Sequence, residues 1–139
     1  MTISCQRPYR QALDRLRASG LRPTRQRLAL AKLLFDGCDR HVTAETLHSE
    51  ASTSDIQVSL ATVYNTLHQF TEAGLLREIV VDAGCSYFDT NVSDHHHFFH
   101  VRTGMLTDIP GADVVVAQLP PAPNGTKIRR VDVIVRIDD

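Results

Sequence analysis

The chain has no tryptophan and only three cysteines among its 139 residues. Cys5, Cys38 and Cys85 are an odd number, widely spaced and never in a C-x-x-C pair. Neither a disulfide framework nor a cysteine-rich structural zinc site is expected from them. Cys38 and Cys85 read instead as small core residues. No run of about 18 apolar residues is present to span a bilayer, so no membrane partner is expected. The opening MTISCQRPYRQALDRLR lacks the apolar stretch and small-residue cleavage site of a signal peptide, which predicts a cytoplasmic protein. Disorder is excluded from the other side, because 42% of the residues are hydrophobic and 22% charged. The length suits one ordinary domain or two small ones.

The formal charge of −1 hides two asymmetries. Residues 1–40 hold nine basic residues (Arg7, Arg10, Arg15, Arg17, Arg22, Arg25, Arg27, Lys32, Arg40) against three acidic ones, and the rest of the chain is acidic. Eight of the nine are arginine, whose forked donors suit phosphate, although a pair of solvated helix faces would carry the same charges. The second asymmetry is histidine: four of the seven lie in Asp94-His95-His96-His97-Phe98-Phe99-His100.

Hydrophobic spacing predicts a helix over 7–19, stopped by Ser19-Gly20, and a second opening at Leu21-Arg22-Pro23-Thr24 with proline in its first turn. Thr43 caps a third helix running to about Ser52, and Ser59 caps a fourth that Ala73-Gly74 closes. In the fourth, Leu60, Val63, Leu67 and Phe70 form one apolar stripe. Strands are expected over 75–81 and 85–89 about a turn at Asp82-Ala83-Gly84. Helices followed by such a hairpin describe a winged helix. Beyond residue 90 the expected elements are strands over 97–101 and 105–109 about Arg102-Thr103-Gly104, one or two helical turns over 112–119, and a long strand over 126–137. The expected fold class is therefore α+β: a winged helix-turn-helix over 1–90, then a small β-rich dimerisation domain over 91–139. So short a second domain needs a partner chain or a metal to hold its core, which predicts a homodimer.

In a helix-turn-helix the second helix enters the major groove and offers polar side chains to base edges. The non-core face of 59–74 carries such a set. Thr62 has a methyl for thymine and a hydroxyl for phosphate, Tyr64 can pack on sugar or thymine methyls, and Asn65 can pair with adenine. A generic exposed helix face is the plainer alternative. In the histidine cluster, His95 and His97 point to one side of a strand and His96 to the other. Three histidines and a carboxylate suit iron, manganese or zinc in their divalent states.

Gly20-Leu21-Arg22-Pro23-Thr24-x-x-Arg27, His41-Val42-Thr43-Ala44-Glu45-x-Leu47, Leu60-Ala61-Thr62-Val63-Tyr64-x-x-Leu67-x-x-Phe70-x-x-Ala73-Gly74 and the histidine cluster resemble, in that order, the ferric uptake regulator family. The motifs Tyr64-Asn65-Thr66-Leu67, Tyr87-Phe88-Asp89-Thr90, Asp94–Phe99 and Ile128-Arg129-Arg130-Val131-Asp132-Val133 are similar to its iron response regulator branch, which controls iron and haem genes and responds to haem. The resemblance implies a winged helix joined to a dimerisation domain, with a regulatory metal site at the junction. It places Arg22 in the minor groove and Tyr64 on bases. Asn65 stands where typical members have arginine, which implies a different operator. Its ligand set is His41, Asp89, His95 and His97, with Asp89 replacing the usual glutamate. Haem is the other ligand it implies, held by His95, His96 or His97 with Phe98 and Phe99 against the macrocycle. The N-terminal Cys-Pro haem motif of some members is missing, since Gln6 follows Cys5, and the usual C-x-x-C pairs of the structural zinc are missing too.

The function so implied is a homodimeric, iron-responsive regulator on a near-palindromic promoter element of double-stranded DNA, with the hinge at 90–94 as its two-state element and haem abolishing DNA binding. The alternative is a family member that senses peroxide or a divalent metal with no haem role. A mononuclear metalloenzyme is disfavoured, since no H-x-x-x-H helix and no general base adjoin the cluster. A co-regulator that docks on protein through its basic end is the third class.

Overall fold

The computed structural model describes residues 9–138, with side chains from residue 12 onward. Cys5, Arg7 and the side chain of Arg10 lie outside the described residues. The chain divides into two compact units, the first ending at Val92 and the second beginning at Ser93.

The first unit packs helices with a small three-stranded sheet. Helix α1 (Tyr9–Ala18) buries Ala12 and Leu16, and Ser19 Oγ donates to the Leu16 carbonyl at 2.7 Å where the helix stops. Helix α2 (Arg25–Phe35) starts one turn later than expected. Thr24 is its cap, accepting the Arg27 N–H at 3.3 Å, and Pro23 lies just outside, where its missing N–H leaves no helical bond unmade. Thr43 caps α3 (Ala44–Thr53) and Ser59 caps α4 (Leu60–Glu72), each as expected. Gly74, at φ +82°, takes the left-handed conformation that ends α4. Leu16, Leu30, Leu34, Phe35, Leu47, Val63, Leu67, Phe70 and Phe88 make one continuous core. The buried face of α4 is Val63, Thr66, Leu67 and Phe70; Leu60, counted in the apolar stripe from sequence, is 37% exposed at the helix end. Ser59→Ala is expected to remove about 1 kcal/mol by orphaning the Thr62 N–H, lowering Tm by about 4–8 °C in a circular-dichroism melt. An unchanged Tm would show that α4 is held by packing alone.

Strands β2 (Arg77–Asp82) and β3 (Cys85–Asp89) form the expected antiparallel hairpin. A third strand, β1 (His41–Val42), pairs with β3 on its other side, giving the order β1-β3-β2. The cysteines correct two expectations. Cys38 is exposed in the loop after α2 and is disulfide-bonded, and Cys85 is a half-buried free thiol on β3, so neither is a core residue.

The second unit is a sheet of β4 (His95–His100), β5 (Leu106–Pro110) and β6 (Ile134–Ile137) in the order β5-β4-β6, with β6 parallel to β4. The helical turns expected over 112–119 shrink to a 3₁₀ turn at Gly111–Asp113, because Val114, Val115 and Val116 are β-branched and leave the helix. The long tail strand shortens to its last four residues. Just before it the Val133 carbonyl accepts the His97 N–H at 3.2 Å while the Val133 N–H donates to the His96 ring at 3.1 Å, and the residue pairing runs from Ile134. Phe99, Leu106 and Ile109 are the buried apolar residues of this unit, while Val101, Met105, Val115 and Leu119 are exposed.

Candidate functional site

The first unit holds one pair of donors. Strands β1 and β3 set His41 directly opposite Asp89, and His41 Nε2 lies 3.1 Å from Asp89 Oδ2. The Asp89 carboxylate is 1% exposed, and a buried charge requires partners. Its Oδ1 accepts the Asn91 N–H at 2.9 Å, which turns Oδ2 toward the imidazole. Arg40 and Thr90 clamp the two strands beside this pair: the Arg40 N–H donates to Thr90 Oγ1 at 2.9 Å, and the Thr90 N–H donates to the Arg40 carbonyl at 3.1 Å.

The second unit holds three more. Alternation along β4 turns His95, His97 and Phe99 inward and His96, Phe98 and His100 toward the half-exposed face. His95 and His97 are 4% and 2% exposed. Their Nε2 atoms lie 3.5 and 3.4 Å from the same oxygen, Oδ1 of Asp108, on the neighbouring strand β5. His95 Nδ1 lies 2.6 Å from the Ser93 carbonyl, so Nδ1 is the donor there and Nε2 is the nitrogen turned toward Asp108 and a ligand. The donor atoms of His95, His97 and Asp108 all lie within 4.8 Å of one another. Imidazole nitrogen and carboxylate oxygen without thiolate suit a divalent iron, manganese or zinc ion.

Asp108 is the residue that the sequence reading missed. Strands assigned to 97–101 and 105–109 about a three-residue turn put Asp108 opposite Phe98, facing away from His97. The observed hairpin pairs His97 with Asp108 and Phe99 with Leu106, closed by a Gly104 N–H bond to the His100 carbonyl at 2.8 Å with Gly104 at φ +74°. A one-residue slip in register moves every side chain to the other face.

Of the residues expected to bind haem, His96 faces away from His95 and His97. Its Nδ1 accepts the Val133 N–H, which places its proton on Nε2, the nitrogen an axial ligand must offer unprotonated. His95, His97 and Phe99 are 4%, 2% and 8% exposed.

Of the other expected residues, Thr62, Tyr64 and Asn65 lie on α4 and Arg22 in the turn before α2. Asn65 and Arg22 are exposed, and Thr62 and Tyr64 are half-buried. Thr62 Oγ1 accepts the Ser59 hydroxyl at 2.9 Å, and the Tyr64 hydroxyl donates to Glu45 Oε1 at 2.7 Å. That bond holds the Glu45 carboxyl below its ordinary pKa and raises the Tyr64 phenol above its own. Tyr64 is thus fixed by the first turn of α3. A shallow polar groove of about 290 Å³ runs between the start of α2 and α4, lined by Thr24, Gln26, Arg27, Thr62, Asn65, Thr66 and Gln69.

Comparison with known proteins places the chain among relatives of known kind. The model of the ferric uptake regulator family matches residues 18–136. The peroxide operon regulator of Bacillus subtilis is 35% identical over 108 residues, covering 76% of this chain and 74% of that protein. The peroxide-responsive repressor PerR of Staphylococcus aureus is 30% identical over 105 residues, covering 76% and 70%. Among solved structures, the ferric uptake regulator from Pseudomonas aeruginosa with manganese superposes with a TM-score of 0.70 at 25% identity, covering 92% of this chain and 97% of that one.

Proposed function

The chain belongs to the ferric uptake regulator family, and we propose that it is a homodimeric transcriptional regulator that reads promoter DNA and is switched by a divalent metal ion. The observation that carries the switch is the preparation of donors in each unit: His41 beside a buried Asp89, and His95 and His97 aimed at Asp108. In this proposal His41, Asp89, His95 and His97 hold the ion, and Asp108 joins them as a fifth ligand. The ion supplies a charge that ligands from both units share, so that binding it restricts the hinge at 90–94. The residues of the chain do the rest. Asn91 and Ser93 orient Asp89 and His95, while Arg40 and Thr90 fix the strand pair that carries His41.

The DNA face is α4, with Thr62, Tyr64 and Asn65 toward base edges and Arg22 in the adjacent groove. Dimerisation falls to the second unit, at 93–139, whose small core and exposed Val101, Met105, Val115 and Leu119 need a second copy to cover them. Peroxide is the signal that the named relatives favour. Haem is the weaker reading, given the tautomer of His96 and the burial of His95 and His97.

The test uses a duplex that the metal-loaded chain selects from a random DNA pool. Its affinity is measured for the metal-free chain, with Mn(II), with Fe(II), with Fe(II) followed by peroxide, and with stoichiometric haem. A change of about 5–150-fold between metal-free and metal-loaded chain is expected. Loss after peroxide with Fe(II) but not Mn(II) assigns the signal to peroxide, and loss with haem alone restores the haem reading. An affinity that none of these alters overturns the metal switch.

A further inference from the structure

Arg27 belongs to the motif at the start of α2 and lies in the first turn of that helix. Its guanidinium reaches in two directions within the first unit. Nη1 donates to the Arg22 carbonyl at 3.0 Å. Nε and Nη2 both donate to Gln69 Oε1 on α4, at 3.3 and 3.1 Å. The same Arg22 carbonyl accepts the Thr24 N–H at 2.9 Å, so the turn that presents Arg22 is pinned from two sides, with Pro23 fixing φ between them. Gln69 stands one helical turn beyond Asn65 and two beyond Thr62, on the face that lines the groove between α2 and α4.

We propose that Arg27 is a positioning residue for sequence recognition: a strut that sets Arg22, the groove-reaching residue, at a fixed offset from the reading face of α4. This rests on the DNA-reading proposal above. The geometry of the side chain supports the role. A planar guanidinium offers donors on opposite edges and so engages the Arg22 carbonyl and the Gln69 amide at once, whereas an ammonium is a single point of donation. Two base-reading elements contribute to one specificity only if their spacing matches the duplex. Loosening the strut lets each dock separately, which spares the charge attraction to phosphate and weakens discrimination between sequences.

Arg27→Lys is the decisive variant, because it keeps the charge. Affinity is measured for the selected duplex and for a scrambled duplex of equal length, across a salt series, using full-length metal-loaded protein. The expected result is a fall of about tenfold or more in the ratio of selected to scrambled affinity, with scrambled affinity within about twofold of wild type and the salt slope unchanged. Gln69→Ala is expected to lower the ratio similarly, and the double variant to be no worse than the more severe single. A melt and a circular-dichroism spectrum like wild type separate positioning from folding. The proposal is overturned if Arg27→Lys discriminates as wild type does. It is also overturned if Arg27→Ala weakens both duplexes equally and reduces the salt slope by about one, which marks a plain phosphate contact. If the wild-type chain selects no sequence at all, the DNA-reading proposal fails first and takes this one with it.

Discussion

His97→Ala is expected to lower affinity for Mn(II) by about 100-fold or more, measured by calorimetric titration of the metal-free protein. Orienting partners of metal ligands are worth about 10–100-fold, and a direct ligand should exceed them. His97 is the better choice over His95 because it stands directly opposite Asp108 in the β4–β5 ladder and is 2% exposed. Metal that binds the native state alone stabilises it by about 2.7 kcal/mol at a concentration 100 times Kd. The wild-type melt should therefore rise on adding Mn(II), and that of His97→Ala should not move. His96→Ala is the matched control on the same strand. Its ring engages Val133, and its loss should leave metal affinity near wild type while weakening the start of β6. Full metal affinity in His97→Ala would remove His97 from the ligand set, and a joint loss in His96→Ala would overturn the assignment of faces along β4.

The two halves of this molecule were unequally legible in the sequence, for reasons that can be named. Thr43 and Ser59 announced α3 and α4 because a capping hydroxyl followed by a 3.6-residue apolar period is a local signal. His95 and His97 fell on one face because alternation is also local. What local rules could not give was pairing. Strand β1 has two residues, too few for any period, and it exists because Asp89 and Phe88 offer it an edge. Asp108 escaped because its face depends on whether the β4–β5 turn holds three residues or four. The tail from 126 alternates like a strand, yet only Ile134–Ile137 forms one, preceded by Val133, whose carbonyl accepts the His97 N–H while its own N–H goes to the His96 ring. Leu60 fits the α4 stripe by count and lies beyond the core by position. The ligand set drawn from resemblance and the missed second carboxylate, Asp108, thus differ in kind: the first needed only matching motifs, the second a register.

Phe70→Ala is expected to be the most destabilising single change in the first unit. Phe70 is fully buried on α4, its ring centroid 6.4 Å from that of Phe35 on α2, within the same core as Leu67 and Phe88. Truncating a buried phenylalanine costs about 3–5 kcal/mol, a large share of the roughly 5–15 kcal/mol by which a domain is stable. For a unit of this size the loss corresponds to a fall in Tm of at least about 12 °C by calorimetry. DNA affinity should vanish near the lowered Tm and return on cooling, because Thr62, Asn65 and Arg22 keep their places on the surface once α4 is packed. That recovery separates a packing defect from a defect in the switch. His97→Ala should lack metal dependence at every temperature, while Phe70→Ala should recover it in the cold. Phe70→Leu, which leaves a smaller cavity, should fall between wild type and Phe70→Ala in Tm. A Phe70→Ala melt within a few degrees of wild type would show that α4 does not depend on this core, and the rigid presentation of Asn65 would then need another cause.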